Sequence, residues 1–441
     1  MRPLYLILKI VLNFSLRIYY KRHARVRAPK NFVNRTIYAS NHPSSFMDPL
    51  IIAVRQNPIV HFMTRGDIYK GVMKQVFWSA HMLPIYRNHD GEDAVRKNQE
   101  VFDTAAKELR RGRGIIMFAE GFTDDKFIRR LKPVKKGSVR LGFEALEKCN
   151  WKKEISMQAV GLNYTNPKKF RSEILVAYGP KICLNDFKEV YLENSGKTIS
   201  EITKRIEKDM RDQITHVDKK EWCSLHEGIM SLTRKGMNNE NKDESIPLKK
   251  RWEYSRNLAL WMNEHEEDKE EELDQLKEEV TGYFSLLKKS RLEERFIYEY
   301  ATKGKISLWK NYLLLFLGFP FALLGLIHGA PSYFIIKPLI EKAFRRDVFW
   351  SSVKMVAGLA VAGIYNILFI FLVYYLIYPN WWVAIGYYFV VPGVTFVIFH
   401  LWWNNFRELK IRKILQGKDL GKFVSRRTVL LEKIKSRIPV A

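Results

Sequence analysis

Three stretches of this chain fix the solvent it must fold in. Residues 311–330, 355–378 and 381–403 contain no Asp, Glu, Lys or Arg, and each is long enough to cross about 30 Å of hydrocarbon as a helix. Trp381, Trp382, Trp402 and Trp403 stand at the two ends of the last stretch, where interfacial anchors belong. The expectation is an integral membrane protein with a membrane domain at 307–404 and a basic cytoplasmic tail at 405–441. Basic loops stay on the cytoplasmic side, and the link 378–380 is short and uncharged. Stretches 355–378 and 381–403 therefore read as a hairpin of two spans. That parity leaves 311–330 unable to cross once, and Pro320 near its middle predicts a re-entrant or interfacial pair bent there. The alternative is three spans, with the basic loop 337–354 outside.

Ahead of the membrane domain lies enough chain for further domains. Of the 441 residues, 47% are hydrophobic and 13% aromatic, which excludes a disordered chain. The formal net charge of +27 points to an anionic partner: nucleic acid, an anionic membrane face or phosphorylated substrates. Nucleic acid is disfavoured because much of the basic charge flanks apolar segments. Cys149, Cys183 and Cys223 are odd in number and far apart, so neither a disulfide framework nor a zinc site is expected, and a reducing, cytoplasm-facing setting follows. In residues 1–30, Lys9, Asn13 and Arg17 make one polar stripe on an otherwise apolar helix with no cleavage site after it. This reads as an uncleaved helix in the membrane interface, its basic cluster 21–27 set against anionic headgroups. A helix packed on its own domain is the other reading.

Between 36 and 182, apolar runs at 36–40, 59–64, 82–86, 114–118, 156–163 and 173–178 alternate with helical patterns, clearest at 93–111 and 137–148. This predicts an α/β domain at 31–185 with a mostly parallel sheet and flanking helices, its ligand site at the carboxyl ends of the strands. A charged helical region at 186–306 follows, and then the transmembrane helices.

The strand ends carry the chemistry. His42 follows the first run and Asp48 comes a short turn later; a near-neutral imidazole can take a proton from an alcohol, and a carboxylate on its other nitrogen fixes the tautomer and stabilises the imidazolium. Arg87 ends the 82–86 run, where a guanidinium suits a phosphate. Glu120-Gly121 ends the 114–118 run; the glycine permits close approach of backbone to ligand, and the glutamate can accept from hydroxyls. The basic turn 131–137 opens the next helix, whose free N–H groups favour anions.

Taken together, Asn41-His42 through Asp48, Pro84 to Arg87, Phe118 to Gly121 and Gln158 to Tyr164 resemble, in order and spacing, the four sequence blocks of the glycerolipid acyltransferases. The resemblance covers about the first 185 residues. It implies that His42 is the base and Asp48 its orienting partner, and that Arg87, Glu120 and Gly121 hold a phosphorylated acceptor, with Thr123 a further substrate-binding residue of the third block. Two departures resemble the glycerol-3-phosphate acyltransferase branch with hydrophobic segments after the catalytic domain. Five residues separate His42 from Asp48, one more than the family usually has, so the turn must bulge; and Ala119 stands where the third block usually has proline.

Competing motifs fail. Ser195-Gly196-Lys197-Thr198 resembles the end of a phosphate-binding loop, but Tyr191 occupies the position of its first glycine, and the segment reads as a helix start. No dinucleotide fingerprint, nucleophile elbow or zinc pair occurs, so no metal and no cofactor is expected. In 186–306, Leu273, Leu276, Val280, Tyr283 and Leu287 follow helical spacing, as in a packed hairpin or a partner-binding coiled coil. The expected activity is transfer of a fatty-acyl group from a thioester donor, acyl-CoA or acyl carrier protein, to a hydroxyl of glycerol 3-phosphate or dihydroxyacetone phosphate. Acylation of lysophosphatidic acid is the nearest alternative, and a non-catalytic basic membrane tether the competing class.

Overall fold

The computed structural model describes residues 3–29, 35–55, 59–86, 93–264 and 267–438, and the chain forms two units. The first comprises 1–220 and 247–263, the second 221–246 and 264–441.

The first unit opens with α1 (Pro3–Tyr19), β1 (Arg22–Val26), β2 (Thr36–Ser40), α2 (Met47–Ala53), β3 (Val60–Arg65), α3 (Gly71–Ser79) and β4 (Met82–Ile85). It continues with α4 (Ala94–Arg110), β5 (Gly114–Phe118), α5 (Gly137–Glu147), β6 (Ser156–Tyr164), β7 (Glu173–Cys183), α6 (Lys188–Glu193) and α7 (Ser195–Gln213). The seven strands form one sheet in the order β1-β7-β6-β2-β5-β3-β4, parallel throughout except for the β6/β7 pair. Every residue of β2 and β6 is buried, as expected of central strands covered by helices on both faces. Helix α4 buries Val101, Ala105, Ala106 and Leu109 along one face against this core. The mostly parallel α/β sheet expected from the alternating pattern is present.

Strand β1 was not foreseen, because the basic cluster has no strand-like alternation. It is an edge strand, where charged side chains are tolerated because one side of the ladder is open. Its charge is met inside the fold: Glu173, wholly buried, takes Arg22 Nε on one oxygen and Arg251 Nη1 on the other, both at 2.6 Å. Helix α7 begins at Ser195 with Asn194 as its cap, the Asn194 side chain accepting from Lys197 N–H at 3.0 Å, so the Ser-Gly-Lys-Thr segment is the helix start expected.

The second unit begins with α8 (Cys223–Thr233); the chain then returns to the first unit for α9 (Leu248–Asn263) and goes on to α10 (Glu267–Lys289) and α11 (Glu294–Lys303). The stripe Leu273, Leu276, Val280, Tyr283 and Leu287 on α10 is buried, packed against α8 and against α16 (Gly421–Arg437), which follows α12 (Trp309–Pro331), α13 (Lys337–Ala343), α14 (Trp350–Leu372) and α15 (Trp381–Gln416). The stripe is thus the packed arrangement within this chain.

Among the described residues, three helices are long and apolar enough to cross a membrane: 309–343, 347–377 and 381–416. Pro320 lies inside α12 without ending it, so one continuous helix stands where a pair divided at Pro320 was expected, and it runs on through a π turn at Ser332–Ile336 into α13. Helices α12 and α15 lie antiparallel. Asn311 Nδ2 donates to Asn405 Oδ1 at 2.6 Å, Trp402 Nε1 donates to the Leu315 carbonyl at 2.8 Å, and His328 Nε2 meets the Tyr387 hydroxyl at 2.8 Å. At Gly325 a Cβ would collide with the Thr395 carbonyl, so glycine is what lets the two backbones touch. Beyond the apolar segments the same ends stay joined: Arg295 pairs with Glu408 at 3.1 Å and Arg412 with Glu299 at 2.8 Å. Helix α14 contacts this pair through Asn366 with His328, the Ser332 hydroxyl to the Gly358 carbonyl, and the Tyr388 hydroxyl to the Gly363 carbonyl.

Candidate active site

The register of the central strands builds the site. Ser40 at the end of β2 is paired with Phe118 at the end of β5 and with Val160 in β6. Residues just past these ends, His42 and Glu120, are therefore neighbours at the carboxyl edge of the sheet, while β6 runs four residues further to Tyr164. The Asn41 side chain locks the loop to β6, accepting from Leu162 N–H at 2.8 Å and donating to the Leu162 carbonyl at 3.1 Å.

The long His42–Asp48 spacing is accommodated by Ser45, whose φ of +49° is left-handed. Turn bonds from Met47 N–H to the Ser44 carbonyl and from Asp48 N–H to the Ser45 carbonyl bring Asp48 into the first turn of α2. The result is the expected bulge, and the pair is in reach: His42 Nδ1 lies 2.8 Å from Asp48 Oδ2. Asp48 is fully buried and accepts two more bonds, from Ser44 N–H to Oδ2 at 2.8 Å and from the Tyr164 hydroxyl to Oδ1 at 2.6 Å. A carboxylate can only accept, so it assigns the proton on that side of the ring to Nδ1 and leaves the lone pair on Nε2. Nε2 has no partner among the described residues. The ring stacks on Phe118 at 4.0 Å between centroids, with 19% of the side chain open to solvent.

Glu120 is buried, and its carboxylate is tied to main chain: Oε2 accepts from His42 N–H at 3.0 Å and Oε1 from Lys132 N–H at 3.1 Å, with Lys132 Nζ 3.5 Å away. Burial pushes its pKa up, opposed by the Lys132 charge and by these bonds. Glu120 thus splints the His42 backbone to the 131–137 turn, and contact with an acceptor would use the lone pairs that remain. Gly121, at φ +79°, makes the turn that presents it.

Beside His42 is a cleft of about 40 Å³, lined by Glu120, Asp124, Lys126, Arg129, Arg130 and Lys132 among others. Ligand pockets run to several hundred Å³, so this cleft is small beside them, and Lys126 and Arg130 in its lining are exposed. Of the residues singled out from sequence, His42, Asp48 and Glu120 come together here. Gly121 and Thr123 lie just past Glu120 but do not line the cleft, and Arg87 is outside the described residues. Arg129, Arg130 and the Tyr164 hydroxyl were missed as site groups. The 123–136 loop has no periodic pattern to place its charges, and a tyrosine at a strand end reads as core.

Comparison with known proteins bears on this arrangement. Residues 23–160 match the Acyltransferase family model, a span that holds His42, Asp48, Glu120, Gly121 and Thr123. This is an acyltransferase domain. The resemblance drawn from the four blocks is to the same family. Among solved structures, the chain is similar to the 1-acyl-sn-glycerophosphate (LPA) acyltransferase PlsC of Thermotoga maritima, at 17% identity and a TM-score of 0.31, over 46% of this chain and 79% of that one. No curated protein sequence matches significantly. Within the matched span, His42 and Asp48 stand on the two sides of one bulged turn, and Glu120 is bonded to the His42 main chain.

Proposed function

We propose that the protein transfers a fatty-acyl group from an acyl thioester, acyl-CoA or acyl carrier protein, to a hydroxyl of glycerol 3-phosphate or dihydroxyacetone phosphate. The observation that carries this reading is the imidazole of His42, held by buried Asp48, with Nε2 unpartnered among the described residues beside a cleft rich in cations. Nε2 accepts the hydroxyl proton as the acceptor oxygen attacks the thioester carbonyl. The C–O bond forms, the tetrahedral intermediate collapses with loss of the C–S bond, and His42 returns its proton to the departing thiolate. Asp48 stabilises the imidazolium between the two steps. Lys126, Arg130 and Arg87 supply positive charge for the acceptor's phosphate. No acyl-enzyme is needed.

The test is an acceptor panel with one labelled donor and membranes holding the protein: glycerol 3-phosphate, dihydroxyacetone phosphate, lysophosphatidic acid and lysophospholipids. Preference for the first two supports the reading; sole use of lysophosphatidic acid moves the enzyme to the second acylation, and no transfer to any acceptor refutes it.

For the membrane segments, we infer an even number of crossings with the catalytic domain on the cytoplasmic face. The start of α12 and the end of α15 are hydrogen-bonded to each other, so both are on one side. The pair runs together from Asn311/Asn405 to His328/Tyr387, about 25 Å at 1.5 Å per residue, which favours α12 and α15 as the two spans and leaves α14 without a complete crossing. The basic segments before α12 and after α15 support the cytoplasmic assignment of that shared end.

A further inference from the structure

Asp48 is oriented by three groups, and one of them is a side chain with no other evident purpose. Tyr164 is wholly buried at the end of β6, and its hydroxyl lies 2.6 Å from Asp48 Oδ1, the oxygen that neither His42 nor Ser44 uses. Its ring is walled by the buried ring of Tyr20 at 6.0 Å, and its main-chain carbonyl is held by Arg129 Nη1 at 3.0 Å. The phenol has no route to the cleft, which it does not line. We propose that Tyr164 is a positioning residue for acyl transfer, which fixes the rotation of the Asp48 carboxylate and tempers its basicity, and so sets how readily His42 releases a proton. The proposal rests on the His42–Asp48 reading above.

The physical basis is the direction of the bond. Burial and the neighbouring Asp48 charge push the Tyr164 pKa well up, so the phenol keeps its proton and donates. A carboxylate with three donors is a weaker acceptor toward any one of them. Without the Tyr164 donor, Asp48 holds the imidazolium more tightly and His42 becomes more basic. The other titratable and charged groups around the pair are the same in both enzymes: the buried Tyr20 phenol beside Tyr164, Arg129 on the Tyr164 carbonyl, Glu120 on the His42 main chain, and Asp124, Lys126, Arg130 and Lys132 lining the cleft.

Tyr164→Phe keeps the ring and removes only the hydroxyl. Rates are measured on glycerol 3-phosphate and normalised to monodisperse detergent-solubilised protein, so loss of folded enzyme alters the yield and not the profile. The expected result is a fall in kcat of up to about tenfold, because a carboxylate no longer fixed in rotation misplaces the His42 ring and this outweighs the tighter hold on the imidazolium, with the acceptor KM little changed. The acid limb of kcat/KM should move up by about half to one pH unit. The acceptor's own phosphate titration is common to both enzymes, so the difference isolates the enzyme. An unchanged kcat and limb overturns the proposal, as does a fall in kcat with the limb unmoved, which is what a merely structural tyrosine gives. His42→Ala in the same assay separates the two readings: if it retains activity, the base assignment fails and not only the role of Tyr164.

Discussion

Asp48→Asn tests the site because the structure says which way the new amide turns. Oδ2 of Asp48 receives two donors, His42 Nδ1 and Ser44 N–H, and Oδ1 receives one, the Tyr164 hydroxyl. An amide nitrogen at the Oδ2 position would face two fixed donors. At the Oδ1 position it faces a hydroxyl, whose hydrogen rotates away so that the oxygen accepts instead. Asparagine therefore settles with its carbonyl toward His42, and the tautomer with a free Nε2 survives. What is lost is the charge beside the imidazolium. Replacing a charged by a neutral hydrogen bond costs about 1 to 1.5 kcal/mol of transition-state stabilisation, or about 5- to 13-fold in kcat. Since the carboxylate no longer favours the protonated ring, His42 becomes less basic and the acid limb of kcat/KM moves to lower pH, opposite to the shift expected for Tyr164→Phe. Steady-state transfer of a labelled acyl group to glycerol 3-phosphate across a pH series reads both quantities. A loss of about 10⁴-fold, the size expected of a wrong tautomer, would refute the argument from the hydroxyl, and a limb that moves up would refute the assignment of Asp48 as the partner charge.

Removing the base in His42→Ala should cost about 10²- to 10⁴-fold or more while the protein remains folded and membrane-bound; near wild-type rates would exclude the mechanism. Glu120→Gln places an amide donor against one of two main-chain N–H groups, so kcat should fall with the acceptor KM within about twofold, whereas a dominant role in holding the acceptor would appear as a raised KM. For Arg87→Ala the expectation from sequence is a raised KM for phosphorylated acceptors with kcat less affected, and unchanged affinity for glycerol 3-phosphate would remove Arg87 from the site. The α12–α15 pairing reverses the expectation from the bend at Pro320: a cysteine placed at Ala343 should label from outside with an impermeant reagent, and one at Lys418 should not. Protection at both positions would show that the pair does not cross.

The sequence determined the parts whose signal is local. Strand and helix positions in the first unit follow from the period of burial, and the pairing of His42 with Asp48 follows from residue type and spacing, including the need for a bulge that Ser45 supplies. Three charge-free stretches likewise determined which helices are long and apolar enough to cross a membrane. Tertiary structure decided whatever depends on a partner distant in the chain. The cluster 21–27 became a strand because Glu173 and the edge of β7 were there to meet it. Glu120 turned toward the His42 backbone because β2 and β5 end in register. Tyr164 reached Asp48 only because β6 outruns β2 by four residues. In the membrane segments, charge counting chose α14 and α15 as the hairpin, whereas Gly325 against Thr395 and Asn311 with Asn405 join α12 to α15. Loop charge reports only which side of the membrane a segment prefers, and which helices touch is decided by close packing of small residues and by polar groups that find each other away from water.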